Sequence, residues 1–186
     1  MTLDKAAHRT AAYARRKAVH GVVDPGPARR ALLAEIARLG ATCVSGYAPI
    51  RTEIDPNPIL DQLNAQGVAL CLPVVQAAGQ PLSFRAWRPG DAMVPGAFGA
   101  PIPAADVAAV PDLLITPLLA FDTQGYRLGY GGGFYDRTLE ILRTEGRAIA
   151  LGFAYDAQRV DQVPREPTDQ RLDAIVTEVQ VYRAAP

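Results

Sequence analysis

Four glycines crowd into five residues between an apolar run and a helical pattern, and this junction constrains the chain more than any other stretch. The run is Leu113-Leu114-Ile115, and Gly129, Gly131, Gly132 and Gly133 follow it. From Phe134 to Arg143 the apolar positions Tyr135, Leu139 and Leu142 recur at helical spacing and point to a core-facing stripe. Glycine costs backbone entropy and contributes no packing, so a cluster at a strand-to-helix junction predicts that the main chain must approach something closely. Successive backbone N–H groups in such a turn form a concave nest, and the helix beyond adds unpaired N–H groups and a positive dipole end. That combination suits phosphate. The pattern is neither common phosphate fingerprint: no Gly-Lys-Ser/Thr follows, and Gly129-Tyr-Gly-Gly-Gly133 lacks the dinucleotide spacing. A glycine turn without a ligand is the bland alternative. Arg127 suits phosphate oxygens and Asp136 suits Mg²⁺, which favours a ligand. Asp136 also reads as a first-turn acid on the helix dipole.

The remaining chain alternates between helical and extended patterns. Residues 4–19 read as an Ala-rich helix stopped at Gly21, with Lys5 and Arg9 on one face and Arg16 two turns further along. That face is either a solvated basic stripe or a cover over an anion held by the glycine turn. Pro25-Gly-Pro27 breaks the chain, and Ala28 to Arg38 is a second helix with Leu32, Leu33, Ile36 and Leu39 on its buried stripe, ended by Gly40. Thr42 to Tyr47 reads as a buried strand, followed by a polar turn carrying Arg51, Glu53 and Asp55. A short helix near Pro58 to Gln66 precedes a strand, Val68 to Leu72, ended by Pro73. Helix, helix, strand, helix, strand predicts βαβ units and a parallel sheet. Ligands of such sheets bind at the carboxyl ends of the strands, here Tyr47 to Glu53, Pro73 and Pro117. Leu82 to Trp87 alternates like an antiparallel strand or hairpin arm, and Pro89 to Pro103 is a Gly- and Pro-rich loop. Further strands are expected at Asp112 to Thr116, Ala148 to Phe153, Ala174 to Val176 and Val179 to Tyr182, with an acid-containing loop at Val163 to Asp169.

A chain of 186 residues is long enough for one well-buried core and short for two. Its 19 basic and 19 acidic residues balance, so no bulk field favours nucleic acid or membrane. Residues 1–30 carry seven basic against two acidic residues, but aromatic interleaving there is limited to Tyr13, which argues against a nucleic-acid partner. Cys43 and Cys71 lie in apolar runs and read as small buried residues of a reducing compartment. No apolar run approaches a membrane span and no signal core is evident, so a cytoplasmic protein is expected. His8 and His20 are the only histidines, which excludes a His-based zinc site and a Ser-His-Asp triad.

In order and spacing these residues resemble the 5-formyltetrahydrofolate cyclo-ligase (methenyltetrahydrofolate synthetase) family nearly end to end. The most specific part is Arg127-Leu-Gly-Tyr-Gly-Gly-Gly-Phe-Tyr-Asp-Arg137 preceded by Pro117-Leu-Leu-Ala-Phe-Asp122. Lys5-Ala-Ala-His-Arg9, Tyr47 to Asp55, Leu72-Pro73, Phe84 to Trp87, Pro89-Gly-Asp91 and Pro164 to Thr177 support it. The resemblance implies an α/β fold: a single-domain three-layer sandwich over residues 1–186 around a mostly parallel sheet, similar to the sugar-phosphate isomerase and CoA-transferase group. It implies ATP- and Mg²⁺-dependent conversion of 5-formyltetrahydrofolate to 5,10-methenyltetrahydrofolate, releasing ADP and phosphate after phosphorylation of the formyl oxygen. The expected partner is that small molecule, with no nucleic acid and no membrane, and the expected state is a monomer.

Carried over position by position, the resemblance makes Lys5, Arg9, Arg127 and Tyr135 catalytic. ATP would lie on Lys5 and Arg9 and along Arg127, Leu128, Gly129, Tyr130, Gly131, Gly132, Gly133, Phe134 and Tyr135. The folate would meet Arg9, Ala48, Glu53 and the segment Tyr130 to Phe134, and Mg²⁺ would sit on Asp136 and Asp169. Glu53 on its own reads as a surface acid. Tyr47 and Trp87 are candidates to flank the flat pterin, although an isolated Trp is more often core. Thr168 departs from the His that relatives often carry before the second metal carboxylate. Two rival readings stay open: a same-fold paralogue for nucleotide and a different small molecule, and a non-catalytic folate or nucleotide module. The latter could dispense with Asp136 and Asp169, and both are present.

Overall fold

The apolar runs become strands of one sheet, with the helical segments laid over both of its faces. The computed structural model describes residues 5–146 and 148–184. In chain order these form α1 (Lys5–Val19), α2 (Gly26–Leu39), β1 (Cys43–Ser45), α3 (Asn57–Ala65), β2 (Ala69–Val75), β3 (Leu82–Ala86), β4 (Met93–Val94) and β5 (Ile102–Pro103). Then follow β6 (Leu113–Thr116), β7 (Ala120–Phe121), β8 (Arg127–Leu128), α4 (Phe134–Thr144), β9 (Ile149–Phe153), β10 (Ala174–Val176) and β11 (Val181–Arg183). The main sheet has the order β11-β10-β9-β6-β1-β2-β3. Its five central strands are parallel, and antiparallel β3 and β11 close the two edges.

Helix starts and stops follow local chemistry. Proline stands in the first turn of α2 and of α3, where its missing N–H costs nothing, and Gly40 ends α2 in the left-handed conformation. On α2 the expected stripe is realised through Ala28, Leu32 and Ile36, while Leu33 and Leu39 are half-buried at its margin. The expected first helix began one residue earlier, at Asp4, which lies outside the described residues.

Alternation along each strand sends side chains to two separate cores. Val44, Leu113, Ile115, Leu151 and Phe153 face α2 and α3, in a cluster that includes Ile36, Leu60 and Leu63. Leu114, Ala150 and Ile175 point the other way and pack with Leu139 and Leu142 of α4. The result is the expected three layers around a mostly parallel sheet. Each fully buried Leu or Ile contributes about 1.5–3 kcal/mol relative to exposure, so both faces of the sheet must be covered. A third, smaller cluster joins Ala12 of α1 to Leu119, Ala120, Leu128 and Val163.

Two expectations are corrected. Pro73 does not end its strand: β2 runs on to Val75, with Pro73 opposite Phe84 of β3. The Cys71 carbonyl accepts from the Gly46 N–H on the β1 side, whereas that of Leu70 accepts from Trp87 next to β3. Pro73, two residues beyond Cys71, therefore turns its missing N–H toward the β1 side, where β1 has already stopped at Ser45. The loop Pro89 to Pro103 is also not wholly irregular. Met93–Val94 pairs antiparallel with Ile102–Pro103, and a tight turn carries Phe98 at their tip.

Candidate active site

The glycine turn sits at the carboxyl edge of the parallel sheet because the chain leaves β6 through Pro117 and folds the β7–β8 hairpin there. That hairpin is closed by Asp122, which is fully buried. Its carboxylate accepts from the N–H groups of Gln124 (3.0 Å), Tyr126 (3.2 Å) and Val163 (3.1 Å), and from Arg165 (3.1 Å). The aspartate of the Pro117–Asp122 motif thus shapes the turn rather than meeting a ligand. β8 delivers Arg127 and then the glycines, and α4 starts directly after them. No side chain caps its first turn, so the unpaired N–H groups there remain available to an anion.

The glycines are required for different reasons. Gly131 (φ 104°) and Gly133 (φ 62°) hold left-handed backbone that a side chain would strain. Gly129 has ordinary backbone, and a Cβ built on it would meet nothing within 4 Å. The fold alone gives no reason for glycine there. A ligand pressed against the main chain would.

A cleft of about 580 Å³ opens over this turn. Lys5 and Arg9 line it from α1, Arg127 to Asp136 from the turn and α4, and Glu166 and Asp169 from the loop before β10. Arg9 donates its Nε–H to the Gly129 carbonyl (3.0 Å), which fastens the first helix to the turn. Lys5 Nζ lies 2.9 Å from Glu166 Oε1 and 3.6 Å from Asp169 Oδ2. Arg127 is nearly buried and donates to the Gln170 carbonyl (2.7 Å) and to Asp136 Oδ1 (2.8 Å). Its guanidinium therefore orients Asp136 as well as facing the cleft. Tyr135 lines the wall, and burial pushes its phenol well above the ordinary range, so it stays neutral.

The donor set fits the expected ligands. Asp136 and Asp169 offer hard carboxylate oxygens, and Mg²⁺ characteristically takes one or two of these together with phosphate oxygens and water. Among the described residues no group of three His, Cys, Asp or Glu side chains is placed to hold an ion. The two carboxylates would need a ligand's oxygens to complete a site. Lys5, Arg9 and the turn's N–H groups supply positive charge for such a ligand.

Glu53 is neither in this cleft nor on the surface. It is buried at the carboxyl end of β1, behind Pro117, which borders both the cleft and a small void beside Glu53. Its Oε2 accepts from the Ile50 N–H (2.9 Å) and its Oε1 from the Tyr130 hydroxyl (3.0 Å). Burial raises the Glu53 carboxyl above the ordinary 4.5, opposed by the Ile50 N–H, Tyr130 and Arg16. The Tyr130 phenol is in turn pushed up to about 12, by burial first and then by the Glu53 charge. Ala48 is half-buried outside the cleft, Tyr47 is core, and Trp87 packs against the α2–α3 core.

Sequence reasoning missed three features. Arg16 belongs to no solvated stripe: it is 1% exposed and points inward beneath Tyr130. Phe98, 71% exposed, overhangs the cleft with its ring 5.9 Å from that of Phe134. A lone aromatic inside a Gly- and Pro-rich loop was the available signal. Glu166 lies in the loop already marked as acidic, though nothing in its spacing singled it out.

Known proteins share this chain's sequence pattern and its fold. The family model described as "5-formyltetrahydrofolate cyclo-ligase family" matches residues 5–178. The 5-formyltetrahydrofolate cyclo-ligase of Escherichia coli is 39% identical over 149 residues, which cover 76% of this chain and 81% of the relative. That of Mycolicibacterium smegmatis is 34% identical over 180 residues, 91% of each chain. The solution structure of Aquifex aeolicus 5,10-methenyltetrahydrofolate synthetase superposes with a TM-score of 0.78 at 26% identity, covering 99% of this chain and 94% of that one. The synthetase of Mycoplasma pneumoniae, at 21% identity, shares the fold with a TM-score of 0.73 over 95% of this chain and 99% of its own.

Proposed function

This chain belongs to the 5-formyltetrahydrofolate cyclo-ligase family, and from that premise we propose that its cleft binds ATP and Mg²⁺ beside the folate. The enzyme is a cyclo-ligase that forms 5,10-methenyltetrahydrofolate from 5-formyltetrahydrofolate. A formamide oxygen is a poor leaving group, so ring closure stalls until that oxygen is activated. In this reading the formyl oxygen attacks the γ-phosphorus of ATP, the bond to the bridging oxygen breaks, and ADP leaves. The neighbouring amine nitrogen then adds to the activated carbon and gives up its proton, which leaves with the phosphate that carries off the former formyl oxygen.

The observation that carries the reading is the convergence on one cleft of the glycine turn, two cations from α1 and two carboxylates. Phosphoryl transfer depends on positioning and charge neutralisation more than on a protein nucleophile. Lys5, Arg9 and the turn's N–H groups would hold the phosphates, and Arg127 would keep Asp136 aimed into the cleft. Asp136 and Asp169 would hold Mg²⁺, which supplies neutralisation of the transferring phosphoryl oxygens when bound. Tyr130 to Phe134 would border the pterin, and Glu53 would act on it indirectly, by holding the Tyr130 hydroxyl from behind the cleft wall. The same reading treats residues 1–186 as one functional domain, acting as a cytoplasmic monomer.

An absorbance assay for the methenyl product, run with and without ATP and Mg²⁺, tests the dependence, and turnover is expected only with both. Oxygen-18 placed in the formyl group is expected in the released phosphate. Label retained in the folate or lost to water would overturn the phosphorylated intermediate.

A further inference from the structure

A buried arginine usually answers a nearby carboxylate, yet Arg16 lies 3.9 Å from Glu53 and spends its hydrogen bonds elsewhere. Its Nε–H goes to Thr52 Oγ1 (3.1 Å), one terminal nitrogen to the Leu118 carbonyl (3.2 Å), and the other to the Tyr130 hydroxyl (2.7 Å). The first acceptor follows β1, the second follows β6, and the third belongs to the glycine turn. Three separate segments of the carboxyl edge thus meet at one planar group, which suits arginine's rigid fork. With its proton drawn toward Glu53 and its oxygen loaded by Arg16, the Tyr130 hydroxyl has a single orientation. The guanidinium also lies 5.6 Å from the Tyr130 ring centre and 5.7 Å from that of Tyr13, which fixes the ring as well.

We infer that Arg16 is a positioning residue for the folate side of the site, locking Tyr130 and Glu53 into one arrangement from the same helix that carries Lys5 and Arg9. The inference rests on the proposed reading in which Tyr130, backed by Glu53, meets the pterin. Arg16 itself is buried and lines no part of the cleft. Arg9 fastens the turn independently, through the Gly129 carbonyl, and Glu53 keeps its bond from the Ile50 N–H, so loss of Arg16 loosens the Tyr130 hydroxyl while leaving the phosphate cradle in place. The effect therefore falls on the folate more than on ATP.

Charge adds a second readout. The groups around Glu53 are Arg16 from α1, Arg51 and Asp55 from its own loop, Tyr47 after β1, Tyr130 from the turn and Tyr135 from α4. Arg16 is the buried cation among them; Arg51 is exposed. Without Arg16, burial acts on Glu53 with less opposition, so its carboxylate form is reached only at higher pH.

The test is Arg16→Met, with Arg16→Lys and Tyr130→Phe beside it, in steady-state assays of methenyl formation. For Arg16→Met the KM for 5-formyltetrahydrofolate is expected to rise on the order of tenfold or more, with the KM for ATP changed less than about threefold. The acid limb of kcat/KM for folate is expected to move to higher pH. Arg16→Lys, which keeps the charge but not the fork, is expected to recover the pH limb and not the KM. Tyr130→Phe marks the loss expected when the hydroxyl itself is gone, and Thr52→Val, which removes one acceptor of the guanidinium at a position that lines no part of the cleft, decides the matter if Arg16→Met does not fold; the folate KM is expected to rise and the ATP KM to hold. An unchanged folate KM and pH limb, or equal rises in both KM values, would overturn the inference. Failure of the unsubstituted enzyme to form product would instead remove the reading beneath it.

Discussion

Asp136 carries two hydrogen bonds on one oxygen, from Arg127 and from the Gln170 N–H, both at Oδ1. An asparagine there retains an oxygen for both bonds but loses the charge and exchanges the second oxygen, the one left for a metal ion, for an NH2 group. Asp136→Asn is therefore expected to melt within a few degrees of the parent. Its turnover should fall on the order of 100-fold or more, at least the upper end of what losing an outer metal partner costs. Thermal melting and the Mg²⁺ dependence of turnover check this together; parent-like activity would remove Asp136 as a metal ligand. At this scale the sequence was informative wherever a residue's job is local to its motif. Lys5, Arg9, Arg127, the glycines, Asp136 and Asp169 all meet the same cleft, as the motif order implied. It was silent on Arg16, because a third basic residue on a helix says nothing of whether it faces water or the hydroxyl of a tyrosine 114 residues away. Glu53 was ambiguous for the same reason, since its burial is set by Pro117 and Tyr130, far along the chain.

Among the elements, the glycine turn separates fold from function. Gly131→Ala imposes left-handed backbone on a residue with a Cβ, and is expected to cost about 1 kcal/mol or more of stability as well as activity. Gly129→Ala meets neither strain nor neighbour in the structure. It is expected to keep the parent's denaturation midpoint while raising the KM for ATP severalfold, because the methyl group would occupy the space a phosphate needs. Equal stability losses in the two variants would contradict the assignment. A different clasp joins α2 to the edge strand β11: Glu35, nearly buried, accepts from Arg38 (2.6 Å) and from Arg183 (2.8 Å). Arg38 first, then Arg183, hold its carboxyl down to about 2 against an ordinary 4.5. Its contribution is thus complete above about pH 4.5 and disappears as pH falls toward 2. Both arginines are half-exposed, so solvent screening limits it to about 1 kcal/mol or less. Glu35→Gln is expected to lose that amount at pH 7 and to show a shallower acid limb in urea melts between those pH values. Element types were mostly legible because their periodicity is local. Pro73 misled because whether a strand tolerates proline depends on which neighbour its N–H would face, and no single stretch encodes its neighbours.

For the whole molecule, the sheet order brings together residues from opposite ends of the chain. The carboxyl ends of β1, β6 and β9 lie side by side, and α1 crosses that edge, tied by Arg9 and Arg16 to the turn and to the segments after β1 and β6. The alternation of strand and helix patterns foretold the parallel centre, while of the segments expected to border a ligand at that edge only Pro117 lines the cleft. The docking of α1 over the turn was one of two readings of its basic face, and its apolar pattern could not decide between them, because its buried contact is small, Ala12 against Leu119, Ala120, Leu128 and Val163. That docking also bears on cooperativity. Lys5 is joined by ion pairs to Glu166 and Asp169, more than 160 residues further along the chain. The cleft is therefore walled by segments distant in sequence, and local unfolding of α1 would strip two cations from it without breaking a single strand pairing.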